Sequence, residues 1–158
     1  MTDKPIPVPA LTKTPLIDSH SHIEADDFDA DRDAMIARMQ AANVVAAVVV
    51  ACDEEDVPRQ EALLKAHPGV VFGAWGLHPE YEDKPETSVE RIIEHCSRPG
   101  IVAVGETGLD YYWCQEPRDW QQKRFRMHIE AARTLQKPLI IHARDSEADA
   151  LDILIDEH

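Results

Sequence analysis

Short apolar runs alternate with longer amphipathic stretches along this chain, and the alternation predicts strands and helices in turn. Apolar runs typical of buried strands are PLIDSH (15–20), VVAAVVVA (44–51), VVFGAWGLH (70–78), IVAVGE (101–106) and PLIIHARD (138–145). Segments with helical spacing or helix-boundary residues are DRDAMIARMQAAN (31–43), EDVPRQEALLKAHPG (55–69), TSVERIIEHCSRPG (87–100), PRDWQQKRFRMHIEAARTLQK (117–137) and SEADALDILIDEH (146–158). A capping-box pattern from Thr87 to Glu90 is expected to begin the third helix, and Ser146 is expected to be the N-cap of the last.

Five repeats of strand and helix predict an α/β fold with a parallel sheet and right-handed crossovers. An open doubly wound sheet and a (β/α)8 barrel both satisfy this alternation. No G-x-G-x-x-G follows the first strand, which removes the main signature of a dinucleotide-binding sheet. Polar residues instead follow strand after strand at the C-terminal end, where barrel enzymes keep their active sites. We therefore expect a partial (β/α)8 TIM barrel with about five βα units.

Metal-ligating side chains stand at the ends of four predicted strands. They are Asp18, His20 and His22 after the first strand, His78 after the third, Glu106 after the fourth and His142 after the fifth. Side chains two positions apart on a strand share a face, so both imidazoles of the H-x-H pair project together. Because the C-terminal ends of parallel strands converge, we expect His20, His22, Glu106 and His142 to surround a metal site.

The donor types indicate how such a site would work. Imidazoles with a carboxylate suit zinc, manganese, iron, cobalt or nickel, and carboxylate-rich sites also admit magnesium. Glu106 has two oxygens and is expected to bridge two divalent ions, a pair that activates water and stabilises both attacking and leaving oxygens. Asp18 either supports catalysis by orienting an imidazole or caps the end of its strand.

Two further residues are candidates for substrate contact. Arg144 alternates with His142 on the fifth strand, so it either meets an anionic substrate as a fork of donors or forms a surface salt bridge. His78 either contacts substrate or closes the turn after its strand. The remaining histidines are expected to be structural or solvated: His67, His95, His128 and His158.

Charge, cysteine content and hydropathy limit the partners and the cellular compartment that we expect. The formal net charge of −14 argues against a broad basic surface along a nucleic-acid backbone, although metal ions in a small pocket can still receive phosphates. The three cysteines form no C-x-x-C pair, so we expect neutral, buried thiols of a reducing compartment. No apolar run approaches the roughly 20 residues that span a bilayer. The first 15 residues, with four prolines, predict an extended leader without a secretion signal, followed by one domain over 16–158 in a cytoplasmic protein.

Four motifs carry a family resemblance. LIDSHSHI, GLHPE, VGETGLDYY and KPLIIHARD, in this order, resemble the TatD family of metal-dependent hydrolases, within the amidohydrolase group. The resemblance implies a (β/α)8 barrel with two divalent ions and deoxyribonuclease activity on phosphodiester bonds. It implies that His20 and His22 hold one ion, Glu106 bridges both and His142 binds the other.

The chain also departs from this family. The family pattern continues with a His after the sixth strand and an Asp after the eighth, and this sequence stops before either. A (β/α)8 barrel typically needs about 250 residues, so the sequence is expected to be the N-terminal part of a longer enzyme. Open edges at the first and fifth strands are expected to favour self-association. Each bound metal would lack one ligand, so the chain alone is expected to have little activity.

Three functions follow as hypotheses. The leading one is a metal-dependent phosphodiester hydrolase acting on DNA, with Mg, Mn or Zn as the ions. A second keeps the metals but cleaves another ester or an amide, such as an aminoacyl ester on tRNA, and the acidic composition favours it. A third is a non-catalytic metal-binding fragment, since two expected ligands are absent.

Overall fold

In the computed structural model, which describes residues 13–114 and 118–157, strands and helices alternate as the hydrophobic pattern predicts. The strands are β1 (Leu16–Ser21), β2 (Val44–Ala51), β3 (Val71–Trp75), β4 (Ile101–Asp110) and β5 (Leu139–Arg144). The helices are α1 (Arg32–Ala41), α2 (Val57–Ala66), α3 (Val89–Cys96), α4 (Asp119–Leu135) and α5 (Glu147–Asp156), with a short 3-10 turn at Asp26–Phe28. Most of the proposed leader (1–15) lies outside the described residues.

The strands form one parallel sheet whose spatial order follows the chain, β1-β2-β3-β4-β5. A doubly wound sheet reverses its strand order at a switch point, whereas a (β/α) barrel adds each strand beside the last. The observed order therefore decides between the two candidates and confirms the partial barrel with five βα units. All five strands present their C-terminal ends at the same edge of the sheet, and this edge carries the candidate site.

The burial of the middle strands explains why their sequences are continuous apolar runs. A parallel strand covered on both faces needs apolar side chains at successive positions. Val49, Val50 and Ala51 of β2 are fully buried, and Trp75 packs with Ile92 and its neighbours between the sheet and the helices. The outermost strands differ: among their apolar side chains, Leu16, Ile17 and Ile141 are substantially exposed, as expected for strands with an open neighbour position.

Several element boundaries differ from the sequence-based expectation. β4 continues to Asp110, four residues past the predicted end, because residues 107–110 stay in register with β5. The prediction that a capping box from Thr87 begins the third helix is wrong. Ser88 is the N-cap of α3, and its hydroxyl accepts the Arg91 amide N–H at 3.2 Å. Ser146 stands at the N-cap position of α5, but its hydroxyl donates to the Leu109 carbonyl at 2.8 Å and makes no capping bond.

The three cysteines are buried, as expected from the sequence. Cys52, Cys96 and Cys114 are all free and buried, and burial raises the pKa of each thiol, so the thiols are neutral near pH 7. Within the described ranges, every helix is too short or too polar to cross a bilayer.

His128 is a buried structural residue, as expected from the sequence. Its Nε2 accepts the Leu77 backbone N–H at 3.1 Å, and its Nδ1 lies 2.8 Å from the Arg124 carbonyl oxygen. Both bonds require a neutral ring with its proton on Nδ1, because a protonated Nε2 would face a second donor. Burial lowers the pKa of His128 to about 4. The side chain thereby fixes the backbone that leads into His78.

His128 is expected to make stability depend on pH. The pKa of about 4 in the folded chain, against 6.5 for an ordinary imidazole, means that the unfolded chain binds the proton more readily. The contribution is complete above pH 6.5 and falls away toward pH 4, by about 3 kcal/mol in total. His128→Gln, which keeps an acceptor for Leu77, should flatten the urea-unfolding free energy between pH 6.5 and 4, whereas Leu151→Ala, at an exposed position without a titrating side chain, should keep the wild-type slope. Equal slopes for all three proteins would contradict this role.

Candidate metal centre

The H-x-H motif and Glu106 form the first group of donors. His20 lies in β1 and His22 directly follows it, and their Nε2 atoms are 3.1 Å apart. Glu106 Oε2, from β4, lies 3.2 Å from His20 Nε2 and 3.9 Å from His22 Nε2. The alternating spacing on β1 therefore brings both imidazoles to one carboxylate oxygen, although two strands, β2 and β3, lie between β1 and β4 in the sheet.

A second group of donors shares Glu106. The Nδ1 of His142, from β5, lies 3.2 Å from Glu106 Oε1, the oxygen turned away from the first pair of histidines. His78, which follows β3, places its Nε2 3.7 Å from Glu106 Oε2. Four imidazoles thus surround one carboxylate, and each carboxylate oxygen has its own histidine neighbours.

These donors fit transition-metal ions. The atoms of each group, His20–His22–Glu106 and His78–Glu106–His142, lie within 4.8 Å of one another. Bonds of about 2.0–2.1 Å in tetrahedral geometry separate ligand atoms by roughly 3.3 Å. The observed separations of 3.1, 3.2 and 3.2 Å match this value, and the 3.7 and 3.9 Å separations exceed it slightly. The donor chemistry is the nitrogen and oxygen set of zinc and manganese sites.

Glu106 is ionised in this environment. Burial opposes ionisation, but the imidazoles of His142 and His78, with the charge of His78 and His20, hold the pKa of the Glu106 carboxyl well below its usual range. In return, contact with Glu106 raises the pKa of His142. The centre therefore carries a fixed negative charge among nitrogen donors, as a cation site requires.

Glu24 is a supporting residue that sequence reasoning missed. His22 Nδ1 lies 3.1 Å from the Val50 carbonyl oxygen and 3.4 Å from Glu24 Oε1. Contact with Glu24 raises the pKa of His22. The buried Glu24 therefore helps to orient the ring and leaves Nε2 facing the centre. Its signal was the alternation itself, because Glu24 follows His20 and His22 at the same two-residue spacing.

Asp110 is the second missed residue. Its Oδ2 lies 2.8 Å from His142 Nε2, and Glu80, Asp110 and His142 form a further group of close donors. Burial opposes ionisation of Asp110, but the Trp113 amide and His142 lower the pKa of its carboxyl. Asp110 stands four residues after Glu106 on the same strand, so strand periodicity could have placed both on one face.

Two predicted residues have other principal contacts. Asp18 lies inside β1, and its Oδ1 accepts the backbone N–H of His20 at 3.1 Å. The Arg144 guanidinium lies 4.2 Å from the centre of the Tyr112 ring and 5.5 Å from that of Trp113. Arg144 thus stands beside the centre on an aromatic surface. The roles assigned to Asp18, His78 and Arg144 stay predictions.

Comparison with known proteins gives one consistent result. The family described as "TatD related DNase" matches residues 17–158. The "Uncharacterized metal-dependent hydrolase YabD" of Bacillus subtilis (strain 168) is 35% identical over 143 residues, which cover 90% of this chain and 56% of that protein. The "3'-5' RNA nuclease TATDN2" of Homo sapiens is 41% identical over 96 residues, 60% of this chain and 12% of that protein. The crystal structure of YJJV, a TatD homologue from Escherichia coli K12, has a TM-score of 0.81 at 28% identity and covers 90% of this chain and 56% of that one. The chain thus spans about half the length of the bacterial relative and of the crystallised homologue.

Proposed function

The chain belongs to the TatD related DNase family, and we propose that it supplies the metal-binding part of a divalent-metal-dependent hydrolase that cleaves phosphodiester bonds of DNA. The observation that carries the proposal is Glu106, whose two oxygens face different histidines within hydrogen-bond distance. A carboxylate in this position is suited to bridging two ions. The number of ions and their identity, among Mg, Mn and Zn, belong to the proposal.

The residues of the chain divide the work of such a reaction. Bound divalent ions supply a water activated near neutral pH and positive charge for the phosphoryl oxygens. His20 and His22 would hold one ion and His142 the other, with Glu106 between them. Val50 and Glu24 fix the tautomer of His22 through its Nδ1.

Substrate contact is proposed for two residues at the rim. His78 stands beside Glu106, with its Nδ1 accepting the Glu80 backbone N–H at 3.2 Å, so its Nε2 points into the centre. Arg144 offers a fork of donors that matches a phosphate. We propose that both side chains contact the phosphate group whose ester bond is cleaved, one from each side.

RNA is the second candidate substrate, since the human relative is named as an RNA nuclease. The acidic composition favours a third candidate substrate, another ester or an amide such as an aminoacyl ester, because a net charge of −14 does not suit a broad basic surface for a polyanion.

A cytoplasmic location and self-association through β1 and β5 stay predictions.

Metal-dependent cleavage is the expected result of a direct assay. The protein is incubated with a single-stranded DNA, an RNA of the same sequence and an aminoacyl ester, each with Mn²⁺, Mg²⁺ or Zn²⁺. We expect the DNA to be cut only when metal is present and EDTA to stop the reaction, because Glu106 and the histidines need the ions to act, and we expect the rate of the chain alone to be low. Cleavage of the ester alone would overturn the proposal. Retained metal without turnover on any substrate would support the non-catalytic, metal-binding interpretation.

A further inference from the structure

We propose that Tyr112, Trp113 and Arg144 form a stacking platform that takes up a nucleobase of single-stranded nucleic acid next to the metal centre. The inference rests on the proposed function, because it assigns a binding site to the strand whose phosphodiester is cleaved. It adds a site for the base, whereas the metal centre handles the phosphate.

The platform is an aromatic surface of unusual exposure. Tyr112 is 48% exposed and Trp113 60% exposed, while Trp75 is 1% exposed. Within the described ranges, these two are the strongly exposed aromatic side chains. The rings meet edge to face with centres 4.7 Å apart at 89°, so the two ring planes are nearly perpendicular. Exposed aromatic pairs of this kind are typical of recognition surfaces.

A single carboxylate joins the platform to the centre. Asp110 Oδ1 accepts the backbone N–H of Tyr112 at 3.0 Å and that of Trp113 at 2.7 Å. The other oxygen, Oδ2, lies 2.8 Å from His142 Nε2. The turn that carries the two rings is therefore tied to a proposed metal ligand, and its position relative to the centre is defined.

Strand β5 contributes a positive charge through Arg144. Arg144 pairs in register with Asp110 and follows His142 by two residues. Its side chain therefore lies on the same edge of the sheet as the proposed metal ligands. Its guanidinium lies over the Tyr112 ring, an arrangement that orients the cation by attraction to the ring face. A cation among exposed rings provides phosphate attraction in a chain that is acidic overall.

The chemistry fits single strands rather than duplexes. A base has a π-face that stacks on an indole whatever its identity, and in a duplex that face is already covered by neighbouring bases. Trp113 offers the more exposed ring for a base, while Tyr112 is partly covered by Arg144. The platform is therefore expected to bind without strong sequence preference.

Base-dependent binding tests the platform. Fluorescence anisotropy is measured in EDTA, which blocks metal-dependent cleavage, with labelled dT8, rU8 and an abasic octamer of the same charge. Trp113→Ala should weaken dT8 binding by about 5- to 100-fold and leave the abasic octamer unchanged. Trp113→Phe should restore most of the loss, and Arg144→Gln should weaken dT8 and the abasic octamer alike. Leu151→Ala, at a 56% exposed position on α5, is the matched control and should bind as wild type does.

The outcomes separate this inference from the proposed function. Equal binding of dT8 and the abasic octamer by the wild type, or equal effects of Trp113→Ala on both, would overturn the platform. The two arms dT8 and rU8 identify the sugar that the site accepts. A protein that shows base-dependent binding but cuts no nucleic acid with metal would leave the platform standing and overturn the nuclease proposal.

Discussion

Replacing Glu106 by alanine is expected to abolish metal binding and activity together. The carboxylate is the group shared by both donor sets, with its oxygens 3.2 Å from His20 and 3.2 Å from His142. Its loss removes the negative charge and leaves imidazoles facing one another. Because loss of a supporting residue alone typically costs 10- to 100-fold in metal affinity, we expect a loss of at least about 100-fold for a direct ligand. Titration calorimetry with Mn²⁺ measures it.

Two further variants make the Glu106 result specific. Glu147→Ala removes an exposed carboxylate from the first turn of α5 and should bind Mn²⁺ as the wild type does. Glu106→Gln keeps the shape and one oxygen, so it should fold normally and bind metal far more weakly than the wild type. If Glu106→Ala binds Mn²⁺ within about threefold of the wild type and retains cleavage, Glu106 is not a bridging ligand.

Convergence of distant residues could be predicted because parallel strands obey simple geometry. His20, Glu106 and His142 lie on different strands, yet each follows an apolar run, and strand polarity brings such ends to one edge. The polar residues at the strand ends also favoured a barrel, in which the strands follow one another in chain order, over a doubly wound sheet. These features depend on periodicity and direction, which the hydrophobic pattern records.

The immediate contacts of each side chain could not be predicted, because they depend on turns and neighbouring strands. Asp18 accepts a hydrogen bond from the backbone N–H two residues ahead, a contact that depends on the local backbone conformation. Asp110 stood at the end of a motif, but its partner His142 is known only once β4 and β5 are in register. The aromatic setting of Arg144 likewise comes from a turn on another strand.

Gly108 is the position at which a single methyl group is expected to damage fold and centre together. Its φ is +136°, which L side chains rarely adopt, and a Cβ there would lie 2.0 Å from the His142 carbonyl oxygen and 3.0 Å from the carbonyl carbon. Both contacts are with backbone of the paired strand, so rotation of a side chain cannot relieve them. Gly108 pairs in register with His142 itself. Alanine must therefore push β5 away from β4 and carry His142 away from Glu106.

We expect Gly108→Ala to lower the free energy of unfolding by more than about 3 kcal/mol, because backbone strain and overpacking add. Gly69→Ala is the matched control: φ is +78° there, but apart from the residue itself and its two chain neighbours nothing lies within 4 Å of the added Cβ. It should cost only the conformational penalty, about 1–2 kcal/mol. Urea unfolding separates the two, and Mn²⁺ titration should show weaker binding only for Gly108→Ala. Equal destabilisation by both variants would mean that β4 and β5 are not packed as closely as the register requires, and the position of His142 beside Glu106 would then need another explanation.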